Sequence, residues 1–249
     1  RSVLLLLLLA VWQLYAVWLD RPLLIPTFTA AAEAFVCSLM KGELPARVGV
    51  SLRLLLAAYA TGVLLAALLT ALATATRLGV DLLEMLTAML NPLPAIALLP
   101  LALIWFGLGW PSILFVLVHA VMWPVALNIH NGFTSVSPTL RMVGLNCGLS
   151  RLKMVFLILI PAALPSILTG LKVGWAFAWR TLIAAEMVFG VSSGSGGLGW
   201  FIYENKNRLE IASVFAGLGT VIMIGLATEV LLFRTLEART VRRWGMKSA

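Results

Sequence analysis

SPTLRMVGLNCGLSRLKMVFLILIPAALP, residues 137–165, is the stretch from which the rest of the chain can be read. Ser137-Pro138 reads as a helix start: a hydroxyl cap, then proline in the first turn, where its missing N–H costs nothing. Gly144 and Gly148 follow, then the cations Arg151 and Lys153. The segment then runs straight into a long apolar helix at Pro161. From Gly148, nine residues lead to Ile158, then Leu159, Ile160 and Pro161.

Outward from this stretch the composition is that of a membrane protein. Of 249 residues, 61% are hydrophobic and 11% charged, against about 25% charged in a soluble domain. Mean hydropathy is +1.03. So few charges cannot cover a soluble surface of this size. A soluble enzyme, a nucleic-acid reader and a disordered adaptor are excluded. The net charge of +8 fits the Lys/Arg enrichment of cytoplasmic loops.

The hydropathy pattern predicts an all-α polytopic membrane helix bundle, one domain over residues 1–249, with about six transmembrane helices. The expected segments are about 3–19, 54–76, 82–106, 112–132, 161–189 and 211–233. The third carries Pro92, Pro94 and Pro100 and is expected to be bent or broken. Asn91 is a candidate cap at that break. The chain begins at Arg1, so a short N-terminal piece is expected to precede it. Lys/Arg bias favours both termini inside: ten basic residues lie on the inner loops and tail against five outside. In that topology Cys37 is outside and Cys147 inside, too far apart for a disulfide. Residues 27–40 read as a short amphipathic helix on the outer surface. No His/Cys cluster suggests a metal site.

The Gly-x9-Ile-x-Ile-Pro spacing resembles half of the signature loop of ABC importer permeases. LNPLPAIALLPLALIWFGLG (90–109) is similar to the third helix of the aliphatic-sulfonate, taurine and nitrate permease group. The stretches around HNGFTSVSPTLRMVGLNCGLSRLKM and IPAALPSILTGLKVGWAFAWRTLIAAEM resemble the same group, as does GGLGWFI (196–202). Matching stretches cover roughly residues 50–225. One position departs: Met142 stands where the family loop often has Glu, six residues before Gly148. The acidic contact expected there is missing.

The resemblance implies a type I importer permease in a bacterial inner membrane. Two copies would form the pathway, a dimer of ABC ATPase subunits would bind ATP and Mg, and an extracytoplasmic binding protein would deliver the cargo. No cofactor is expected in this chain and no Walker A sequence occurs in it, so it is not read as an enzyme. The loop at about 137–155 then becomes the ATPase-coupling surface. Leu140, Met142 and Leu149 would supply apolar anchors, and Arg141, Arg151 and Lys153 rim charge. Gly144, Gly148, Ser150 and Pro161 complete the loop's candidate set. A basic loop that merely obeys the positive-inside rule is the plain alternative, and the Gly–Ile–Pro spacing weighs against it.

Ionisable groups within the spans are the candidate pathway residues. Lys172, Trp179 and Glu186 are seven apart and share one helix face. Lys172 can snorkel inward and Glu186 outward. Arg180 lies beside them and is deeper. It either pairs with Glu186 or Glu229, or lines a pathway for an anion. His119, midway along the fourth segment, reads as a helix–helix hydrogen bond more readily than a proton relay. Gly194-Ser195-Gly196-Gly197-Leu198-Gly199 satisfies G-x-G-x-x-G, but no strand–turn–helix unit surrounds it, so it reads as a tight turn. A secondary transporter or channel, with neither an inverted repeat nor acidic coupling residues to support it, is the alternative function.

Overall fold

Every long apolar run becomes a helix, because hydrocarbon leaves backbone N–H and C=O groups no other partner. The computed structural model describes residues 2–74, 76–189 and 196–242, and among these there is no strand. The helices are α1 (Ser2–Leu19), α2 (Phe28–Met40), α3 (Glu43–Ala73), α4 (Arg77–Leu90), α5 (Leu99–Phe106), α6 (Trp110–Thr134), α7 (Pro138–Asn146), α8 (Arg151–Met154), α9 (Ile160–Phe189), α10 (Leu198–Asn207), α11 (Ile211–Ala227) and α12 (Arg234–Glu237). A 3₁₀ turn at Ala95–Leu98 leads into α5. π turns at Val155–Leu159, Thr228–Phe233 and Ala238–Arg242 join the later helices into long rods.

The expected six spans resolve differently. Among the described residues, four helices are long and apolar enough to cross a membrane: Glu43–Ala73, Trp110–Thr134, Val155–Val188 and Ile211–Val241. The proline-rich third segment is a pair of arms, Arg77–Leu90 and Ala95–Phe106, bent by 89°. Counted as one, the pair makes a fifth span. Its break falls at 91–94, where Pro92 and Pro94 cannot donate to a helical ladder. The first segment is a helix of 18 residues, about 27 Å long at 1.5 Å per residue and just short of the ~30 Å hydrocarbon core. The second span starts at Glu43, not near 54, so Arg53 lies inside the helix. The last runs on to Val241.

The core is the α3–α6–α9 triple. Leu54 and Leu55 of α3, Val121 and Val125 of α6 and Leu182 of α9 are fully or almost fully buried in it. Gly170 and Gly174 of α9 let α6 approach closely. A Cβ on Gly170 would fall 2.6 Å from Cβ of Asn128, and one on Gly174 would fall 2.9 Å from Cγ2 of Val125. This is the small-xxx-small device by which membrane helices gain packing when no hydrophobic drive exists between them. Leu4, Leu6, Leu7, Leu8 and Leu14 of α1 are exposed, as suits a lipid-facing helix. Tyr59 ties α3 to α9 by donating to the Leu171 carbonyl at 2.9 Å.

Candidate functional site

The 137–161 segment forms a short arm at the end of α6. Ser137 Oγ accepts from the Leu140 N–H at 3.4 Å and Pro138 occupies the first turn. Helix α7 ends in a Schellman motif. The Leu149 N–H donates to the Gly144 carbonyl at 3.1 Å and the Gly148 N–H to the Leu145 carbonyl at 2.9 Å. Gly148 sits at φ +69°, the left-handed position this motif requires. Gly144 is buried where a Cβ would fall 2.5 Å from Cδ1 of Ile158 and 2.7 Å from Cε of Met154, so α7 lies tight on the start of the next rod. The π turn at Val155–Leu159 directly precedes Pro161, whose ring conflicts with a regular preceding turn.

The arm leaves apolar side chains uncovered: Leu140, Met142, Val143 and Leu145 are all exposed. Leu149 is half-buried, and Ser150 and Lys153 are exposed. The Arg151 side chain lies outside the described residues. Arg141 differs from its expected rim role, because its guanidinium turns back and donates to the Phe133 carbonyl at 2.6 Å. It thereby satisfies the free C-terminal end of α6.

A second feature is an open cavity beside the break of the third span. Its volume is about 250 Å³, and it lies between the break, α6 and α9. Asn91, His119, Trp123 and Arg180 line it. The helix–helix hydrogen bond expected of His119 is not made: both its ring nitrogens are buried without a partner. So are Nε1 of Trp123 and Oδ1 of Asn91. Arg180 does not pair with Glu186 or Glu229. Its Nε donates to the Ala176 carbonyl at 3.1 Å, and its guanidinium lies 5.2 Å from the Phe177 ring centroid. Trp123 is buried; sequence reading passed over it because one tryptophan among nine carries no depth signal.

The other predicted pathway residues lie elsewhere. Lys172 pairs with Glu229 across to the Thr228–Phe233 turn. Trp179 is buried in the core. Glu186 does not snorkel outward; it is 5% exposed. Its carboxylate accepts from the Ser51 hydroxyl at 2.7 Å and from the Gly199 N–H at 2.8 Å, while Ser51 Oγ accepts from the Leu198 N–H at 2.8 Å. Glu186 thus satisfies the N-terminal end of α10, where an anion is favoured. The G-x-G-x-x-G glycines have their reason here. A Cβ on Gly197 would fall 2.0 Å from Oε1 of Glu186, and one on Gly199 would fall 2.4 Å from the Ile183 carbonyl. Gly197 and Gly199 allow close approach at the start of α10; Gly194 and Ser195, where the expected tight turn begins, lie outside the described residues. Glu84 and His130, which join α4 to α6 at 3.1 Å, were not paired by any sequence signal.

A broken span beside a cavity that holds a few polar side chains is a feature of transport machinery. Residues 58–242 match the family described as "Binding-protein-dependent transport system inner membrane component". The chain belongs to this family. It is therefore a multi-pass membrane permease component, and the family is one of transport subunits, not enzymes. The permease is 29% identical over 223 residues to a putative ABC transporter permease protein of Methanocaldococcus jannaschii, covering 88% of this chain and 82% of that one. It is 30% identical over 223 residues to a putative aliphatic sulfonates transport permease protein of Escherichia coli, covering 89% and 83%. Further relatives are named for taurine, nitrate and bicarbonate transport, each matched over 53% to 60% of its own length. In fold the permease is similar to a crystal structure of an amino acid ABC transporter with histidines. The TM-score is 0.61 at 17% identity, over 84% of this chain and 98% of that one.

Proposed function

We propose that this permease is one of two copies lining the pathway of an ATP-driven importer for a small organic or inorganic oxoanion. An extracytoplasmic binding protein delivers the anion and an ABC ATPase dimer docks on the 137–155 arm. The exposed apolar face of α7, fixed by the Gly148 motif at a bundle end, is the observation that carries the reading. An apolar patch of this kind marks an interaction surface. Lys153 beside it supplies the charge that steers a soluble partner. Closure of the ATPases on ATP draws the two arms together, and hydrolysis releases them, so the bundle alternates between two states. The sulfonate, nitrate and bicarbonate names of the relatives favour an anion as cargo. Both termini then lie in the cytoplasm, and the membrane is the bacterial inner membrane.

The test is co-expression with an ABC ATPase subunit from the same organism, purification through a tag on the permease, and native mass measurement. The expected result is a complex of two permeases and two ATPases that takes up anion in an ATP- and binding-protein-dependent way. A stable chain that never retains an ATPase would overturn the reading in favour of a secondary transporter.

A further inference from the structure

We propose that Glu84 and His130 form a clasp that holds α4, the first arm of the broken span, against α6, and that transport opens it. The far half of α4 then lifts away and the break at 91–94 takes up the movement. The inference rests on the import reading and adds to it the element that moves.

The bundle around α4 is closely locked. Gly62 of α3 stands where a Cβ would fall 2.7 Å from Cβ of Val121, and Gly132 of α6 where one would fall 2.8 Å from Cβ of Ser166. Contacts this close resist sliding, because a packed interior has no spare volume. The α7 arm joins the same body through Gly144 against Ile158 and Met154, and through Arg141 on the Phe133 carbonyl. The second arm, α5, is tied to α6 as well, since the Ser112 hydroxyl lies 3.1 Å from the Ala102 carbonyl.

Helix α4 is held differently. Its first turn sits tight on the end of α3, where a Cβ on Gly79 would fall 2.4 Å from the Ala73 carbonyl. Beyond that turn Leu83 and Thr87 are buried, while Leu82, Met85 and Met89 are exposed. The Thr87 hydroxyl is spent within its own helix, donating to the Leu83 carbonyl at 2.7 Å. Among the described residues, the one hydrogen bond from α4 to another helix joins Glu84 Oε1 to His130 Nε2 at 3.1 Å. An ionised carboxylate only accepts, so the ring N–H donates.

The pair is built unevenly. The His130 side chain is 5% exposed and that of Glu84 is 60% exposed. The carboxylate can exchange the ring for water at little cost, and a lifted arm admits water to the ring in turn. Lifting breaks no other side-chain hydrogen bond of α4. At the end of the arm the helical ladder stops, because Pro92 and Pro94 have no N–H; it restarts with the Ala97 N–H on the Pro94 carbonyl. A few residues at the end of an element are where a hinge absorbs rotation. Room for the movement exists, since the open cavity has residues 90–96 on one wall and α6 on another. The clasp therefore sets the gap between the broken span and α6.

The test uses the permease with Cys37→Ser and Cys147→Ser, reconstituted in vesicles with its ATPase and binding protein. Glu84→Cys and His130→Cys are introduced together and joined by a short bifunctional thiosulfonate that a reducing agent cleaves. Uptake should stop on cross-linking and return on reduction, and either cysteine alone should not respond to the reagent. Separately, Glu84→Ala and His130→Leu should each raise ATP hydrolysis per assembled complex, without binding protein, by about 2- to 10-fold, the population shift that one net hydrogen bond sustains. His130→Gln, whose amide N–H can still donate to Glu84, should stay near wild type. A merely structural contact would lower the thermal midpoint and leave hydrolysis per complex unchanged. Undiminished uptake by the cross-linked permease overturns the clasp. If the cysteine pair does not assemble, wild-type hydrolysis by Glu84→Ala overturns it. A complex that imports while cross-linked refutes only this inference; a chain that retains no ATPase refutes the import reading.

Discussion

Replacing Gly148 tests the coupling arm with the least ambiguity. Its φ of +69° is one an L side chain adopts only at a cost. No atom lies within 4 Å of where a Cβ would stand, so a small side chain meets no clash. The whole penalty of Gly148→Ala is therefore backbone strain, about 1–2 kcal/mol. That penalty lowers the population of the docking-ready arm by about 5- to 30-fold relative to its alternatives. Asn enters the left-handed region more readily, so Gly148→Asn should lose less. Gly148→Arg carries the same strain and sets a bulky cation on the surface facing the ATPase. It should abolish ATP-driven uptake while membrane insertion is kept. The assay titrates ATPase against the reconstituted permease and follows both ATPase retention and uptake, with the amount of inserted permease as the reference. Equal behaviour of wild type, Ala and Asn would show that the Schellman turn does not position the arm. Wild-type uptake by Gly148→Arg would sink the coupling role of the loop.

Three further outcomes are expected. Ser51→Ala removes a donor from the Glu186 carboxylate and strands the Leu198 N–H, which should cost about 1–3 kcal/mol; an unchanged thermal midpoint of the purified complex would show that this network is slack. Lys172 and Glu229 form an exposed pair, so a double-substitution cycle of Lys172→Gln and Glu229→Gln should show a coupling of no more than about 1 kcal/mol. A larger coupling in thermal stability would refute this reading of the pair. Cys37 and Cys147 are both exposed; a membrane-impermeant maleimide applied to whole cells should modify Cys37 and spare Cys147. The reverse pattern would invert the orientation.

Much of the architecture was legible because membrane helices announce themselves locally. The apolar runs, Ser137-Pro138, the glycine at 148 and the prolines at 92 and 94 each specify a helix, a start, a stop or a break within a few residues. The errors came where length or partners decide. The second span was expected from about 54, but the helix starts at Glu43, where Arg47 pairs with Glu204, 157 residues away. The expected membrane segments left 190–210 without a helix. Leu198–Asn207 becomes α10 because Ser51 and Glu186, distant in sequence, satisfy its first N–H groups.

The site residues divide in the same way. The sequence by itself determined a polytopic helical membrane protein, a broken third span and a capped short helix before the long rod at Pro161. Each follows from local hydropathy, from proline's missing N–H or from the left-handed freedom of glycine. Only the tertiary structure decided which charges are spent. Helical spacing placed Lys172, Trp179 and Glu186 on one face, but packing gave each a separate job in pairing or in the core. It was packing, too, that left Arg180 unpaired by any acid beside His119 and Trp123, because a hydrogen-bond partner is a matter of distance in space, and sequence separation does not record it.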